Sequence, residues 1–180
     1  MPEAADIWLQ AGYKRFAELG PEGLKVEPLA KKAGISKSSF YHHFADTAGF
    51  LEALCQLHLQ QCHLIAEKEQ RCTTINPDLI RVLIDHKTDL LFNRQLRVQR
   101  QNPLFNATLQ KADALTGAYF VRLWINELNL PYSVQQLQGM FELALENFYL
   151  QLTPHQFTTD WLKAYFDNLA QVLKNLRLTQ

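Results

Sequence analysis

The segment that decides the fold runs from Leu24 to Phe44 and reads LKVEPLAKKAGISKSSFYHHF. Two short helical patterns flank a Gly-Ile-Ser turn, where Gly34 can take the left-handed conformation that ends a helix. Leu29 lies on the apolar side of the first pattern, and Phe40 and Phe44, four residues apart, form the inner face of the second. The segment therefore predicts a helix-turn-helix.

The outer face of the second helix carries short or planar hydrogen-bonding side chains. The centre of this face consists of Lys37, Ser38, Tyr41 and His42, and its edges consist of Ser36, Ser39 and His43. Side chains of these types reach base edges and phosphates when a helix lies in the major groove. A packing unit of three helices with these side chains simply exposed is the alternative.

The charge of the chain limits the kind of nucleic-acid binding that it can support. Its 180 residues contain 18 Lys and Arg against 18 Asp and Glu, which excludes a histone-like polycation. Between Lys25 and Phe44, four lysines stand against the single acid Glu27, so 4 minus 1 leaves a local charge of +3. We therefore expect any DNA binding to come from this local patch.

The remaining composition indicates a cytoplasmic globular protein with no membrane partner. No apolar run reaches the roughly 18 residues that a membrane span needs, and the N-terminus shows no signal sequence. Three cysteines without such a signal predict reduced, mostly buried thiols. Cys55 and Cys62 share a helix face and could form a redox or metal sensor, but buried packing is favoured because no further ligand is closely spaced. We expect no metal and no cofactor.

Helical periodicity with start and stop signals predicts an all-α protein of about nine helices. Eight of the fourteen Gly and Pro residues fall within the first fifty positions, which indicates a small domain of short helices over residues 1–45 and a larger helical domain over residues 46–180. The expected helices are Glu3 to Leu19, Val26 to Ala33, Ser36 to Phe44, Asp46 to about Arg71, Asn76 into the Arg94 to Arg100 region, Ala107 to Leu128, Val134 to Leu152 and Thr159 to Leu176.

The last two helices carry more apolar surface than one face can absorb. The two stripes are Leu137, Phe141, Leu145 and Phe148, then Leu162, Phe166, Leu169 and Leu173, and Met140, Leu143 and Leu150 widen the first. Pairing with a second copy in a four-helix dimer interface would bury both sides. Packing within one chain is the alternative. A two-fold dimer would place the recognition helices about one helical turn or slightly more apart, on a roughly palindromic operator.

The middle helices contain aromatic side chains that would suit an apolar effector pocket. The candidates are His86, Phe92, Phe105, Tyr119, Phe120 and Trp124. Ordinary core packing is the competing interpretation for each of them. Arg94, Arg97 and Arg100, three residues apart, could meet an anionic ligand, although a solvated helix face or an interdomain contact is favoured.

Over about residues 7 to 54, the chain resembles the TetR family of bacterial transcriptional repressors. The resemblance rests on the helix end from Phe16 to Gly20, on Leu29-Ala30-x-x-Ala33-Gly34-Ile35-Ser36-x-x-x-Phe40-Tyr41-x-x-Phe44, and on Phe50-Leu51. It implies a homodimer whose N-terminal domain binds a double-stranded operator and whose helical C-terminal domain binds a small effector that releases the DNA. It also implies base contacts from Lys37, Ser38, Tyr41 and His42, and phosphate contacts from Lys25, Val26, Ser36, Ser39, His43 and Thr47.

Two positions depart from the family pattern. The family usually has Thr or Ser at Lys25, where a hydroxyl caps the second helix, and usually Lys at Thr47, where an ammonium meets a phosphate. Lys25 offers a charge instead of a cap, and Thr47 offers only a hydroxyl and its backbone N–H. We therefore expect weaker or more salt-sensitive DNA binding.

Two other functional classes compete with a ligand-responsive repressor. We expect no enzyme, because no nucleophile, base and orienting group can be named from the spacing of residues. The second alternative is a protein-interaction or ligand-binding helical module whose helix-turn-helix no longer binds DNA, given Thr47.

Overall fold

A computed structural model describes residues 4–128 and 133–176, and within these ranges it contains nine α-helices and no strand, so the all-α prediction is confirmed. The helices are α1 Ala4–Leu19, α2 Val26–Ala33, α3 Lys37–His43, α4 Thr47–Gln70, α5 Ile80–Asp85, α6 Lys87–Val98, α7 Pro103–Leu128, α8 Val134–Gln151 and α9 Thr159–Leu176. A 3₁₀ turn (Gly20–Gly23) follows α1, and a π-helical turn (Ile75–Leu79) precedes α5. None of the helices in the described ranges has the length and apolar character that crossing a bilayer requires.

The chain folds into two compact units that do not follow chain order. Unit 1 consists of Met1–Cys62 and Thr88–Ala112, and unit 2 consists of His63–Lys87 and Asp113–Gln180. Unit 1 therefore contains α1 to α3, most of α4, all of α6 except Lys87, and the beginning of α7, while α5, α8 and α9 belong to unit 2. The functional boundary after residue 45 stays a prediction, because compactness alone does not define it.

Local capping signals define the short helices as expected. The side chain of Ser36 accepts a hydrogen bond from Ser39 N (3.3 Å) at the start of α3, and Asp46 Oδ1 accepts one from Gly49 N (2.8 Å) at the start of α4. Gly34 ends α2 with φ of 69°, the left-handed conformation that its lack of a Cβ permits. The sequence therefore predicted the ends of α2 and the starts of α3 and α4 from residues within one helical turn.

Two helix predictions were wrong. The helix expected to run unbroken from Asn76 past Arg94 is divided at His86, whose backbone (φ −103°, ψ 25°) leaves the helical region. No Gly or Pro marks this break, and the buried His86 ring meets Lys68 Nζ at 2.7 Å through Nε2. The helix expected from Ala107 begins at Pro103 instead, because Asn102 Oδ1 accepts from Leu104 N (2.9 Å) and proline is tolerated in the first turn.

An aromatic core holds α1, α3 and α4 of unit 1 together. Trp8, Phe40 and Phe50 are fully buried, with edge-to-face ring contacts at 5.1 Å between Trp8 and Phe40 and 5.2 Å between Phe40 and Phe50. A Cβ at Gly12 would lie 2.3 Å from the Phe50 ring, so α1 approaches α4 closely only because this residue has no side chain. The core therefore fixes the third helix against the first and the fourth.

Candidate nucleic-acid interface

The outer face of α3 is open to solvent across its whole width. All four predicted base-contacting side chains, those of Lys37, Ser38, Tyr41 and His42, are exposed, and Tyr41 has 58% of its surface accessible. The buried Phe40 ring lies behind Tyr41, with 5.3 Å between the ring centroids. The helix thus presents hydrogen-bonding groups on one side while its other side is held in the aromatic core.

The predicted phosphate contacts surround this face, and five of the six keep their polar groups free of the core. Lys25, Ser36, His43 and Thr47 are exposed, and Val26, which offers its backbone N–H, is half-buried. Ser39 differs, because its hydroxyl accepts from Trp8 Nε1 (3.0 Å) and donates to Ser36 O (2.7 Å). Since its proton is already used, Ser39 serves to hold the start of α3.

An ion pair reduces the positive charge of the interface. Lys37 Nζ on α3 donates to Glu27 Oε1 on α2, and this contact raises the pKa of Lys37 and lowers the pKa of Glu27. Lys32 lies 3.9 Å from Glu18 Oε2 on α1. Two of the four lysines between Lys25 and Phe44 therefore face a carboxylate of the same unit, and a phosphate would have to compete with Glu27 for Lys37.

The start of α4 shows why the absence of lysine at position 47 changes the site. Thr47 is exposed at the first helical position, and the Asp46 carboxylate beside it caps the helix through Gly49 N. A carboxylate at a helix N-terminus is favourable for the helix, but it repels a phosphate that approaches the same N–H groups. Lys25 precedes α2 without a side-chain cap, in agreement with the expected loss of that hydroxyl.

Residues 9–54 match the family model described as "Bacterial regulatory proteins, tetR family". Over these 46 residues, about a quarter of the chain, the protein is similar to TetR-family regulatory proteins. The match runs from Leu9 in α1 to Leu54 in α4, so it includes α2, the turn and α3, together with Phe40 and Phe50 of the aromatic core. No curated protein matches the chain in sequence at a significant level.

Solved structures extend the likeness over almost the whole chain. A protein from Rhodococcus sp. that is assigned to the TetR family of transcriptional regulators is 19% identical, with 96% of this chain and 99% of that chain covered and a TM-score of 0.61. A transcriptional regulator from Rhodococcus sp. Rha1 is 14% identical, covers 94% and 95% and has a TM-score of 0.64. A TetR-assigned protein from Mesorhizobium loti is 16% identical, covers 96% and 95% and has a TM-score of 0.58. These similarities show that the chain shares its fold with these three proteins, including the helices beyond residue 54.

The six predicted effector-pocket residues are divided between the two units. In unit 1, Phe92 and Phe105 are buried in the core, where the Phe92 ring centroid lies 4.3 Å from that of Phe16. In unit 2 lie His86, Tyr119, Phe120 and Trp124, and the Phe120 ring meets Trp124 (5.6 Å) and Phe141 (4.9 Å). Within unit 1, Phe92 and Phe105 therefore have the surroundings of ordinary core residues.

A small cavity of about 60 Å³ lies beside Trp124 in unit 2. Its apolar walls include Ile75, Ile80 and Phe166, and Glu127, Lys163 and Asp167 add charged groups. Trp124 is buried, and its Nε1 has no hydrogen-bond partner among the residues that the structure describes. A buried donor without a partner costs free energy, so an acceptor in the cavity would remove that cost.

The residues predicted for the dimer interface are mostly covered within the chain. Six of the eight are buried, namely Leu137, Phe141, Phe148, Leu162, Phe166 and Leu173, while Leu145 and Leu169 are half-buried. The apolar surface that stays exposed lies beside this stripe, with Leu143 at 75% and Val172 at 48% accessibility. Leu143, Met140, Leu169 and Val172 line one groove of about 510 Å³ between α8 and α9. Helical periodicity therefore located the apolar residues of α8 and α9, but it could not tell which of them are buried within the chain and which stay exposed.

The three cysteines are free thiols and all are buried. Burial raises the pKa of Cys55 and the pKa of Cys72. Cys62 Sγ lies 3.6 Å from His58 Nε2 on the same helix. Among the described residues, no three His, Cys, Asp or Glu side chains are grouped so that they could hold a metal ion.

Proposed function

We propose that the protein is a TetR-family repressor that binds a palindromic DNA operator as a homodimer and is released from it by a small molecule. The observation that carries the DNA-binding part is the outer face of α3, where Lys37, Ser38, Tyr41 and His42 are all exposed on a helix held by a buried aromatic core. A rigid helix with such a face can enter the major groove and read base edges without reorganising.

Dimerisation is proposed through the exposed groove between α8 and α9. Leu143 and Val172 leave a continuous apolar surface with Met140 and Leu169, which is costly for a surface that remains in water. The same surface on a second copy would cover it in a two-fold arrangement of four helices. The proposed contact residues are therefore Met140, Leu143 and Val172, which lie beside the predicted stripe, together with Leu169 of the stripe itself.

Effector binding is proposed in unit 2, where the cavity has apolar walls and is lined by Trp124, whose buried N–H has no partner among the described residues. A ligand shifts the protein between two states only by as much as its affinity for them differs. The effector must therefore prefer the arrangement of the dimer that fits the operator poorly.

The experiment for DNA binding is selection of duplexes from a random pool by the purified wild-type protein, repeated across a salt series. We expect enrichment of an inverted repeat whose half-sites are about one helical turn or slightly more apart, and a linear fall of log affinity with log salt concentration. Failure to enrich any sequence at low salt would contradict DNA recognition. It would favour the alternative that the protein is an interaction module that no longer binds DNA, because Thr47 lacks an ammonium group and the Asp46 carboxylate repels phosphate at the start of α4.

Dimerisation is tested with Leu143→Lys, measured by sedimentation velocity. Two ammonium groups brought together in an apolar interface should shift the protein from dimer to monomer at micromolar concentration. Leu64→Lys is the matched control, because Leu64 is an exposed leucine on α4 outside the groove. A dimer that survives Leu143→Lys as well as it survives Leu64→Lys would place the interface elsewhere.

A further inference from the structure

Helix α1 is hydrogen-bonded through two side chains to two different parts of unit 1. Trp8 Nε1 donates to Ser39 Oγ at the start of α3 (3.0 Å), and the Tyr13 hydroxyl donates to Asp89 Oδ1 on α6 (2.7 Å). The two residues are five positions apart, or about 7.5 Å along the helix axis. Helix α1 therefore connects α3, the helix proposed to read DNA, to α6.

The Tyr13 end belongs to a buried chain of polar groups with a defined direction. Because the Tyr13 proton goes to Asp89, its oxygen accepts from His58 Nδ1, which is 2.8 Å away. His58 Nε2 is then left as the acceptor that faces Cys62 Sγ at 3.6 Å. Burial lowers the pKa of His58 to about 4, so the ring is neutral at pH 7 and has the single N–H that this order needs.

Helix α6 also packs along α1 beyond this hydrogen bond. The Phe92 ring stacks on Tyr13 with 4.4 Å between centroids and meets Phe16 at 4.3 Å. Directly after the end of α1, a Cβ at Gly20 would lie 3.0 Å from Oε1 of Gln95 on α6. Movement of α6 therefore cannot occur without movement of α1 or loss of these contacts.

The Trp8 end acts on the first turn of α3. Ser39 Oγ, which accepts from Trp8, donates to Ser36 O, and Ser36 Oγ accepts from Ser39 N. These bonds join α1 to the N-cap of the recognition helix, directly beside Lys37 and Ser38. The position of α1 is thus coupled to the position of the first turn of α3, which carries Lys37 and Ser38.

We propose that Tyr13 and Trp8 are positioning residues for DNA recognition, with the Tyr13–Asp89 bond setting α1 on α6 and the Trp8–Ser39 bond setting α3 on α1. This inference rests on the proposed DNA binding. It adds that two buried residues of α1 set the position of α3 for that binding. It requires no contact of either residue with DNA, because Trp8 and Tyr13 are both buried. Their loss should therefore affect specific binding, which needs an aligned helix, more than non-specific binding, which depends on phosphate charge.

The test measures the dissociation constants of Tyr13→Phe, Trp8→Phe and the double variant for the selected operator and for an unrelated duplex of equal length. We expect each single variant to weaken operator binding about fivefold or more and to leave binding of the unrelated duplex within about twofold. The double variant should weaken operator binding by less than the product of the two single effects, because both act on the same helix.

Thr108→Val is the matched control, since it removes a buried hydroxyl of unit 1 that donates to Leu104 O (2.8 Å) within α7 and belongs neither to the contacts of α1 described above nor to the α8–α9 groove. All variants are compared at a temperature where circular dichroism shows them fully folded. If Tyr13→Phe weakens both duplexes equally, or behaves as Thr108→Val does, the positioning role is wrong. If the wild type itself does not distinguish the two duplexes, the proposed DNA recognition fails and this inference fails with it.

Discussion

Helix α4 carries two buried titratable side chains, His58 in unit 1 and Glu69 in unit 2, which differ in whether their polar atoms have hydrogen-bond partners. Their exposed fractions are only 1% and 4%. Both ring nitrogens of His58 have a polar neighbour, whereas Glu69 Oε2 has no hydrogen-bond partner among the described residues. Burial lowers the pKa of His58 to about 4 and raises the pKa of Glu69 to about 8, so both groups are uncharged at pH 7. The hydrogen bonds of His58 therefore help to order unit 1, whereas the unpartnered Glu69 oxygen lowers the stability of the folded state.

The largest effect is expected from Glu69→Gln. Because the folded-state pKa of Glu69 is raised, the folded state binds more protons than the unfolded state between pH 4.5 and 8, and stability falls as the pH rises through that range. The wild type should lose about 3 kcal/mol from this group between pH 5 and 7.5. Urea unfolding at both pH values should show that the advantage of the variant grows by that amount, whereas exposed Glu67→Gln should show no such change. A constant difference would mean that Glu69 is charged when folded.

A smaller effect of opposite sign is expected from His58→Gln. Here the folded-state pKa is lowered, so the unfolded state binds more protons between pH 4 and 6.5, and stability is lost as the pH falls through that window. Between pH 7.5 and 5 the loss should be about 2 kcal/mol in the wild type and absent in the variant. The exposed His63→Gln on the same helix is the control. If wild type and His58→Gln lose stability in parallel on acidification, the histidine is not buried in its neutral form.

The exposed ion pair between Glu27 and Lys37 differs from both buried groups, because its contact favours the charged form of each side chain. Glu27→Gln removes the carboxylate that competes with DNA for Lys37, so operator affinity should rise by about threefold at 0.1 M salt. Fluorescence anisotropy with a labelled operator measures the change, and Glu22→Gln on the 3₁₀ turn is the control for a general gain of charge. If operator affinity rose equally in the two variants, release of Lys37 from its ion pair with Glu27 would not be the cause of the increase.

The sequence predicted those parts of the fold that depend on neighbouring residues. Helix ends at Gly34, Ser36 and Asp46 follow from side chains within one turn, and the outer face of α3 follows from the spacing of Phe40 and Phe44. The break at His86 and the membership of α6 in unit 1 could not be predicted, because both depend on contacts between distant segments.

The supporting residues of the interface were missed for a related reason. Trp8 and Tyr13 lie at apolar positions of α1, and their periodicity indicates only that they are buried. The signal that could have found them is chemical, since a buried indole N–H or phenol O–H needs a partner. For the phenylalanine effector candidates no such signal exists, because Phe92 in a core and a phenylalanine that lines a pocket have the same pattern.

The most direct test of recognition by α3 is the affinity of Tyr41→Ala for the selected operator and for an unrelated duplex at the same salt concentration. Tyr41 is exposed at the centre of the face, so its loss should weaken operator binding by about tenfold or more and leave the unrelated duplex unchanged. Tyr41→Phe, which keeps the ring on Phe40, separates the hydroxyl from the packing. An unchanged ratio of the two affinities in Tyr41→Ala would contradict the assignment of this face as the DNA-reading surface.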